Sequence, residues 1–334
     1  MNANESLEKL ETSLRQLIST PHGRRIFITS MPILLAGCQT RKTRHREGDN
    51  TGQSTSLTVQ DEIKMSQEYL PQMRKEYPPV QEARLQRYLQ DLGRKIATRS
   101  GNEGAPYGYN FTLAHAKGVN AFALPAGEVF VTTPLLAMAE SEAELAGVVG
   151  HEIGHIKARH TAERIHKQKK SKSKSLLYGV GGAVLGGALG FGLGKLVCSK
   201  NDRACLARVA KYGALAGGAG GLLIQKFGFM ANSREDEMEA DRISFRTAVA
   251  AGYDKDHVGR FYNKLMAMEQ QAKSQQARNA LAPLADALST HPPSIERVKQ
   301  IQQMASQESK RSGAQINSRE FLEVREIVRR SIQS

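Results

Sequence analysis

The spacing of apolar positions changes three times along this chain, and each change predicts a different element. Residues 26–37, IFITSMPILLAG, form a largely apolar run, too short to cross a bilayer as a helix and matching the core of a signal peptide. Residues 39–56 are polar and aperiodic, as suits a tether. From about 57 to 99 apolar residues recur at helical spacing in two stretches parted by Tyr77-Pro78-Pro79. In the second, Val80, Ala83, Leu85, Leu89 and Leu92 form a stripe expected to be core. The period then drops to two. Tyr109 to Leu113 alternates, and residues 119–124 and 128–133 flank Pro125-Ala126-Gly127 as a hairpin.

Helical spacing returns at Ser141, an expected N-cap with Glu144 placed to complete a capping box, and continues through LAGVVGHEIGHIKARH. A second helix is expected from Ser233 to a stop at Gly252. Between the two, residues 176–228 are Gly-rich and hydrophobic, and Leu176 to Gly194 carries no charge. Glycine keeps the hydropathy of this run modest, so a close-packed helical hairpin roofing the site is expected rather than a membrane insertion. The pattern implies an α+β, predominantly helical fold with a small antiparallel sheet or hairpin. It divides the sequence into 1–37, a signal peptide; 38–56, a tether; 57–305, one domain; and 306–334, a C-terminal extension.

The address follows from the N-terminus. Leu35-Ala36-Gly37-Cys38 resembles a lipobox, which implies lipidation at Cys38 and a mature protein beginning there, and Gly-Arg-Arg-Ile-Phe-Ile resembles a twin-arginine export motif. Gln39, where an Asp would retain a lipoprotein at the inner membrane, implies an outer-membrane lipoprotein facing the periplasm. In that oxidising compartment Cys198 and Cys205 are candidates for a disulfide. The 40% hydrophobic content of 334 residues excludes collagen-like, fully disordered and multi-span membrane classes.

The chemistry lies in His151-Glu152-Ile153-Gly154-His155. Residues four apart share a helical face, so both imidazoles reach one ion. Glu152, about a quarter-turn round, sits beside that ion and takes the proton of water as it attacks a carbonyl. Apolar Val148, Val149, Ile153 and Ile156 bury this helix, and Gly150 and Gly154 admit close backbone approach. His160 and His166 are off the His151/His155 face and are expected to be polar or supporting histidines. A third protein ligand is needed. The acids of Glu235-Asp236-Glu237-Met238-Glu239-Ala240-Asp241 are candidates, and spacing does not choose among them. Glu235 and Asp236 are expected on a solvated face.

Taken together, HEIGH, Asn232-Ser233-Arg234, Glu237 to Asp241, Asn120 to Pro125, and Thr290-His291-Pro292 with Arg297 resemble the zinc metallopeptidase family of the CAAX prenyl proteases and HtpX, closest in type to its outer-membrane lipoprotein members. The likeness covers about residues 57–300. It implies a gluzincin-type core holding one Zn2+ through His151, His155 and Glu237, with Asp241 orienting a ligating imidazole. It also implies that His291 and Arg297 act on the substrate or the oxyanion, or that His291 reaches the metal. Residues 119–124 then offer an exposed strand edge for substrate, through Asn120, Ala121 and Phe122.

The resemblance implies a metalloendopeptidase acting on misfolded or misassembled envelope proteins. A chaperone-like assembly factor with a latent or structural zinc site is the alternative. Prenylated substrates are not expected without the several membrane helices of relatives that handle them. The net charge of +14 first suggests nucleic acid, but no stacking platform or motif accompanies it. Residues 157–174 hold eight Lys/Arg and one acid, a stripe expected to face anionic lipid beside the lipid anchor.

Overall fold

Two prolines, Pro78 and Pro79, part the first pair of helices, α1 (Val59–Glu76) and α2 (Ala83–Ala97). Thr58 and Asp61 close a capping box at the start of α1, whereas α2 has no side-chain cap. A cap is worth about 1 kcal/mol. Burying each of Leu85, Leu89, Leu92 and Ile96 contributes roughly 1.5–3 kcal/mol, so packing, not capping, fixes α2. Ala83, placed in the core stripe by periodicity, is exposed at the helix's first position, where no described element covers it.

This computed structural model describes residues 47–48, 50, 53, 55–100, 107–167, 232–271, 287 and 290–333. The signal peptide, Cys38, Cys198, Cys205 and the Gly-rich run 176–228 lie outside the described residues. Among the described residues no helix is long and apolar enough to cross a membrane.

Three short strands, β1 (Asn110–Ala114), β2 (Ala121–Ala123) and β3 (Glu128–Thr132), form a sheet in the order β1-β3-β2. The expected hairpin is β2 and β3, antiparallel with Phe122 opposite Phe130 and their rings stacked at 5.0 Å. Its turn is the single helical turn Pro125–Gly127, with Ala126 at φ 65° and Gly127 at φ 109°. The sheet is mixed rather than wholly antiparallel, because β1 pairs with β3 in parallel. The hairpin returns the backbone along the direction of β1, and β3 slots between the other two, leaving β2 as an edge among the described residues.

Beyond α3 (Thr133–Met138) runs α4 (Glu142–Lys157), buried at every position from Glu142 to Ile156. Such all-round burial requires neighbours on every side, and α5 (Arg234–Ala250) is the main one. The contact is close because of glycine: a Cβ on Gly154 would lie 2.9 Å from the Ala240 carbonyl oxygen of α5; one on Gly147 would lie 2.1 Å from that of Val258, in the segment that follows α5. Among the described residues, helices α6 (Arg260–Gln271), α7 (Ile295–Gln307) and α8 (Arg319–Gln333) follow. Residues 306–334, read from the pattern as an extension, are built into the same core as the sheet and α4, through Phe321, Val324 and Val328.

Candidate metal centre

Helix α4 brings His151, Glu152 and His155 to a buried position. Ser141 caps it, its Oγ accepting from the Glu144 N–H at 3.1 Å. The reciprocal half of the expected capping box is shifted by one residue, since the Glu144 carboxylate accepts from Glu140 N–H at 3.1 Å and meets Lys264 at 3.3 Å. Helix α5 has a complete box: Ser233 Oγ accepts from Asp236 N–H, and the Asp236 carboxylate accepts from Ser233 N–H at 3.0 Å. Asp236 is therefore buried and engaged rather than on a solvated face.

Four side groups converge: His151, His155, Glu237 and His291. The Nε2 atoms of His151 and His155 lie 2.9 Å apart, and each is 3.3 Å from a Glu237 carboxylate oxygen. His291 Nδ1 lies 3.2 Å from His151 Nε2 and 3.2 Å from Glu237 Oε1. Metal–donor bonds of about 2.0–2.2 Å in a tetrahedron separate the donors by roughly 3.3–3.6 Å. Three imidazoles and a carboxylate at these spacings fit a single first-row divalent ion.

The surroundings hold each donor in place. Asp241 Oδ1 lies 2.8 Å from His151 Nδ1, the nitrogen pointing away from the cluster, as a carboxylate that fixes a ligating imidazole does. His155 Nδ1 meets His160 Nδ1 at 2.8 Å, and His160 Nε2 in turn meets Glu239 Oε2 at 3.3 Å. Arg297 is 1% exposed. Its Nε and Nη2 grip Asp241 at 2.6 and 2.7 Å, and its Nη1 reaches Glu237 Oε2 at 2.7 Å and the Pro292 carbonyl at 3.2 Å. A guanidinium so engaged does not face a substrate carbonyl. The oxyanion role expected for Arg297 gives way to one of holding the carboxylates in position.

These charges set the protonation of the site. Burial pushes the Glu237 carboxyl up, but Arg297, His291 and His151 outweigh it and hold it well below the usual range. Burial lowers His155, and the neighbouring His151 lowers it further, which keeps its imidazole neutral. Burial also pulls His151 down, yet Glu237 and Asp241 overcome it and raise the group to about 9. Binding a cation here thus displaces a proton from His151.

Glu152 is 2% exposed, and its Oε1 lies 3.4 Å from His291 Nε2. A cleft opens beside it, lined by Phe122, Ala123 and Leu124 of the sheet edge, and by Glu152, His155, Arg159, Arg164, Asn232 and His291. Asn120 and Ala121 are 1% and 4% exposed and do not line it; of the three expected substrate contacts, only Phe122 does.

A model of peptidase family M48 matches residues 83–305. The protein belongs to this family. The M48 match includes both metal-bearing helices and ends before α8, although α8 shares their core. The sequence is 27% identical over 257 residues to the beta-barrel assembly-enhancing protease of Escherichia coli strain K12, covering 77% of this protein and 46% of that one. It is 34% identical over 185 residues to the mitochondrial metalloendopeptidase OMA1 of Arabidopsis thaliana, covering 55% of this protein and 29% of the relative. The Saccharomyces cerevisiae protein of the same name is 27% identical over 182 residues, 54% of this protein and 42% of the relative. The matched region thus spans about half the length, or less, of these curated relatives.

Three residues at the site were not assigned a role by pattern: Glu239, Tyr262 and Asn232. His160, expected only as a supporting histidine, proves to be the partner of His155. It supports a donor rather than being one, and it reaches His155 because α4 ends before Arg159, where φ is 51° and the backbone turns back. Tyr262 packs its ring 5.5 Å from that of His151 and 4.7 Å from the Arg297 guanidinium carbon. The basic stripe also differs from expectation in its described part, 157–167. Lys157 bonds the Ser100 carbonyl, Arg159 pairs with Glu62, Arg164 turns inward, and Lys167 pairs with Glu163. Lys157 and Arg159 are thus engaged by the fold, Lys167 remains exposed, and the rest of the stripe lies outside the described residues.

Proposed function

We propose that the protein is a zinc metalloendopeptidase of the bacterial envelope that cleaves misfolded or misassembled periplasmic and outer-membrane proteins. The observation that carries this reading is Glu152, an acid that is not one of the four donors, held beside them at the floor of a cleft that ends on a strand edge. Zinc held by the donors would supply a Lewis acid for the scissile carbonyl and acidify water.

The protein's own residues do the rest. The β2 edge receives an extended substrate by main-chain hydrogen bonds, with Phe122 and Leu124 walling the cleft. Glu152 accepts a proton from the attacking water and returns it to the leaving amine. Asp241, Arg297 and the His160–Glu239 pair keep the donors aligned. His291 occupies the fourth donor position and also faces Glu152, so substrate entry requires its imidazole to withdraw. This latch accommodates the closed geometry that would otherwise favour a purely structural metal in an assembly factor. The outer-membrane address rests on the lipobox at Cys38 and on Gln39, and the similarity to a beta-barrel assembly-enhancing protease supports an envelope role.

The test uses the full-length zinc-loaded protein, an unfolded outer-membrane protein and a casein-type substrate. Glu152→Gln is expected to retain zinc and lose about 10²–10⁴-fold in cleavage rate. Unchanged cleavage would overturn the proposal.

A further inference from the structure

Two arginines line the same cleft, and the structure treats them differently. Arg159 is fully engaged: its Nε lies 3.1 Å from Glu62 Oε2, and its Nη2 donates to the Leu57 carbonyl at 2.8 Å. Arg164 has one partner among the described residues, Thr161 Oγ1, which accepts from Nη2 at 2.8 Å. Among the described residues its Nε and Nη1 have no hydrogen-bond partner, and both are sequestered from solvent. A desolvated guanidinium with open N–H groups is costly to leave unpaired. Burial alone pulls its pKa down, against Asp236, Glu237, Glu152 and Glu163, none of which pairs with it.

The position of Arg164 is set by the metal centre. His160, clamped between His155 and Glu239, lies one turn earlier in the helical stretch 160–167, so the two residues share a face. Arg164 therefore stands at a fixed offset from the donors. It forms no ion pair with Glu152 or Glu237, although both influence it. The remaining acid of the lining, Glu62, is taken by Arg159 and Tyr107.

We propose that Arg164 is a specificity residue: it receives a substrate carboxylate, from an acidic residue or from the free terminal carboxyl of a peptide, in a subsite next to the scissile bond. The inference rests on the peptidase reading of the cleft and assigns it a substrate class, peptides with a carboxylate near the cleavage point. Open N–H donors in a water-poor wall form charge-assisted bonds to a carboxylate, and its amide isostere makes weaker ones. The difference is a preference between substrates rather than a gain in chemistry.

The test is a binding measurement on the full-length zinc-loaded Glu152→Gln protein, which holds peptides without cutting them. Labelled peptides are compared in matched pairs, Asp against Asn and Glu against Gln at each position, and free against amidated terminal carboxyl, by fluorescence anisotropy. At one position, or at the terminus, the carboxylate member is expected to bind about tenfold more tightly. Which pair discriminates identifies the source of the carboxylate. Adding Arg164→Gln should bring that ratio to about one, and Arg164→Lys should keep part of it. The proposal is overturned if no pair discriminates in the parent protein, or if Arg164→Gln weakens both members of the pair equally. Cleavage by the Glu152-intact protein is scored separately, so a failure of the peptidase reading is distinguishable from a failure of the subsite.

Discussion

The two ends of helix α4 each bury a carboxylate cluster, and they differ in the direction of their hydrogen bonds. At the N-terminal end, Glu142 accepts from Tyr88 Oη at 3.2 Å, from Gln315 Nε2 at 2.6 Å and from Ser318 N–H at 2.6 Å. Every partner is a donor, so the knot is complete as it stands. At the other end, lone pairs crowd together: imidazole nitrogens and a carboxylate oxygen lie 2.9–3.3 Å apart, and the His151 proton among them is one that a cation displaces. A buried polar cluster is structural when donors match acceptors. It becomes a cation site when lone pairs converge.

That contrast predicts opposite outcomes for removal of one member. His155→Ala takes away a donor, and bound zinc and peptidase activity should both fall below detection in metal analysis and a cleavage assay. Glu142→Ala should leave the zinc stoichiometry at one per protein while costing roughly 3 kcal/mol of stability in urea unfolding, since several donors lose their acceptor. Equal loss of zinc in both variants would erase the distinction between the two ends.

Arg297 is the point at which the metal end borrows the logic of the structural end, because its guanidinium supplies the N–H groups that Glu237 and Asp241 lack. Arg297→Met should destabilise the metal-free protein by about 3–5 kcal/mol. Arg297→Lys should restore little, since an ammonium cannot repeat the two-pronged grip on Asp241. The pH dependence carries the same information. Arg297 holds both carboxyls below their ordinary values of 4.5 and 3.8. Their stabilisation is therefore present above those values and is lost as the pH falls below them. Acid unfolding curves of the chelator-treated protein should show that loss, and Arg297→Met should flatten it.

How much of this was legible from residues alone depended on whether the signal was local. The two metal helices, their Ser caps and the hairpin follow from short-range rules of spacing and capping. Likewise, His151, Glu152 and His155 are set by a single helical face. Among the acids of α5, spacing did not single out Glu237; only the pattern of motifs did, because the choice depends on how α5 packs across Gly154. The pairing of β1 with β3, the engagement of Asp236 and the inward turn of Arg164 are decided by contacts between segments distant in sequence. The incorporation of α8 into the core is equally long-range: its apolar stripe Phe321, Val324 and Val328 is visible in sequence, but its partners on α2 and α3 are not.

The smallest effect tests how far the metal end extends beyond its donors. His160 lies between His155 and Glu239, so His155 can donate its Nδ1 proton only while His160 accepts. His160→Ala removes that acceptor and should weaken zinc binding about 10–100-fold, read by competition with a chelator, with the fold intact. Glu239→Gln should do less, under about tenfold, because the amide oxygen can still accept from His160 Nε2, while the oxygen that accepts from the Gly48 N–H at 2.9 Å is replaced by an NH2 group. What is lost is the negative charge that makes His160 a better acceptor for His155. If Glu239→Gln instead matched His160→Ala, charge rather than hydrogen-bond geometry would be what aligns His155, and the relay would belong to the electrostatics of the metal rather than to the packing of the helix.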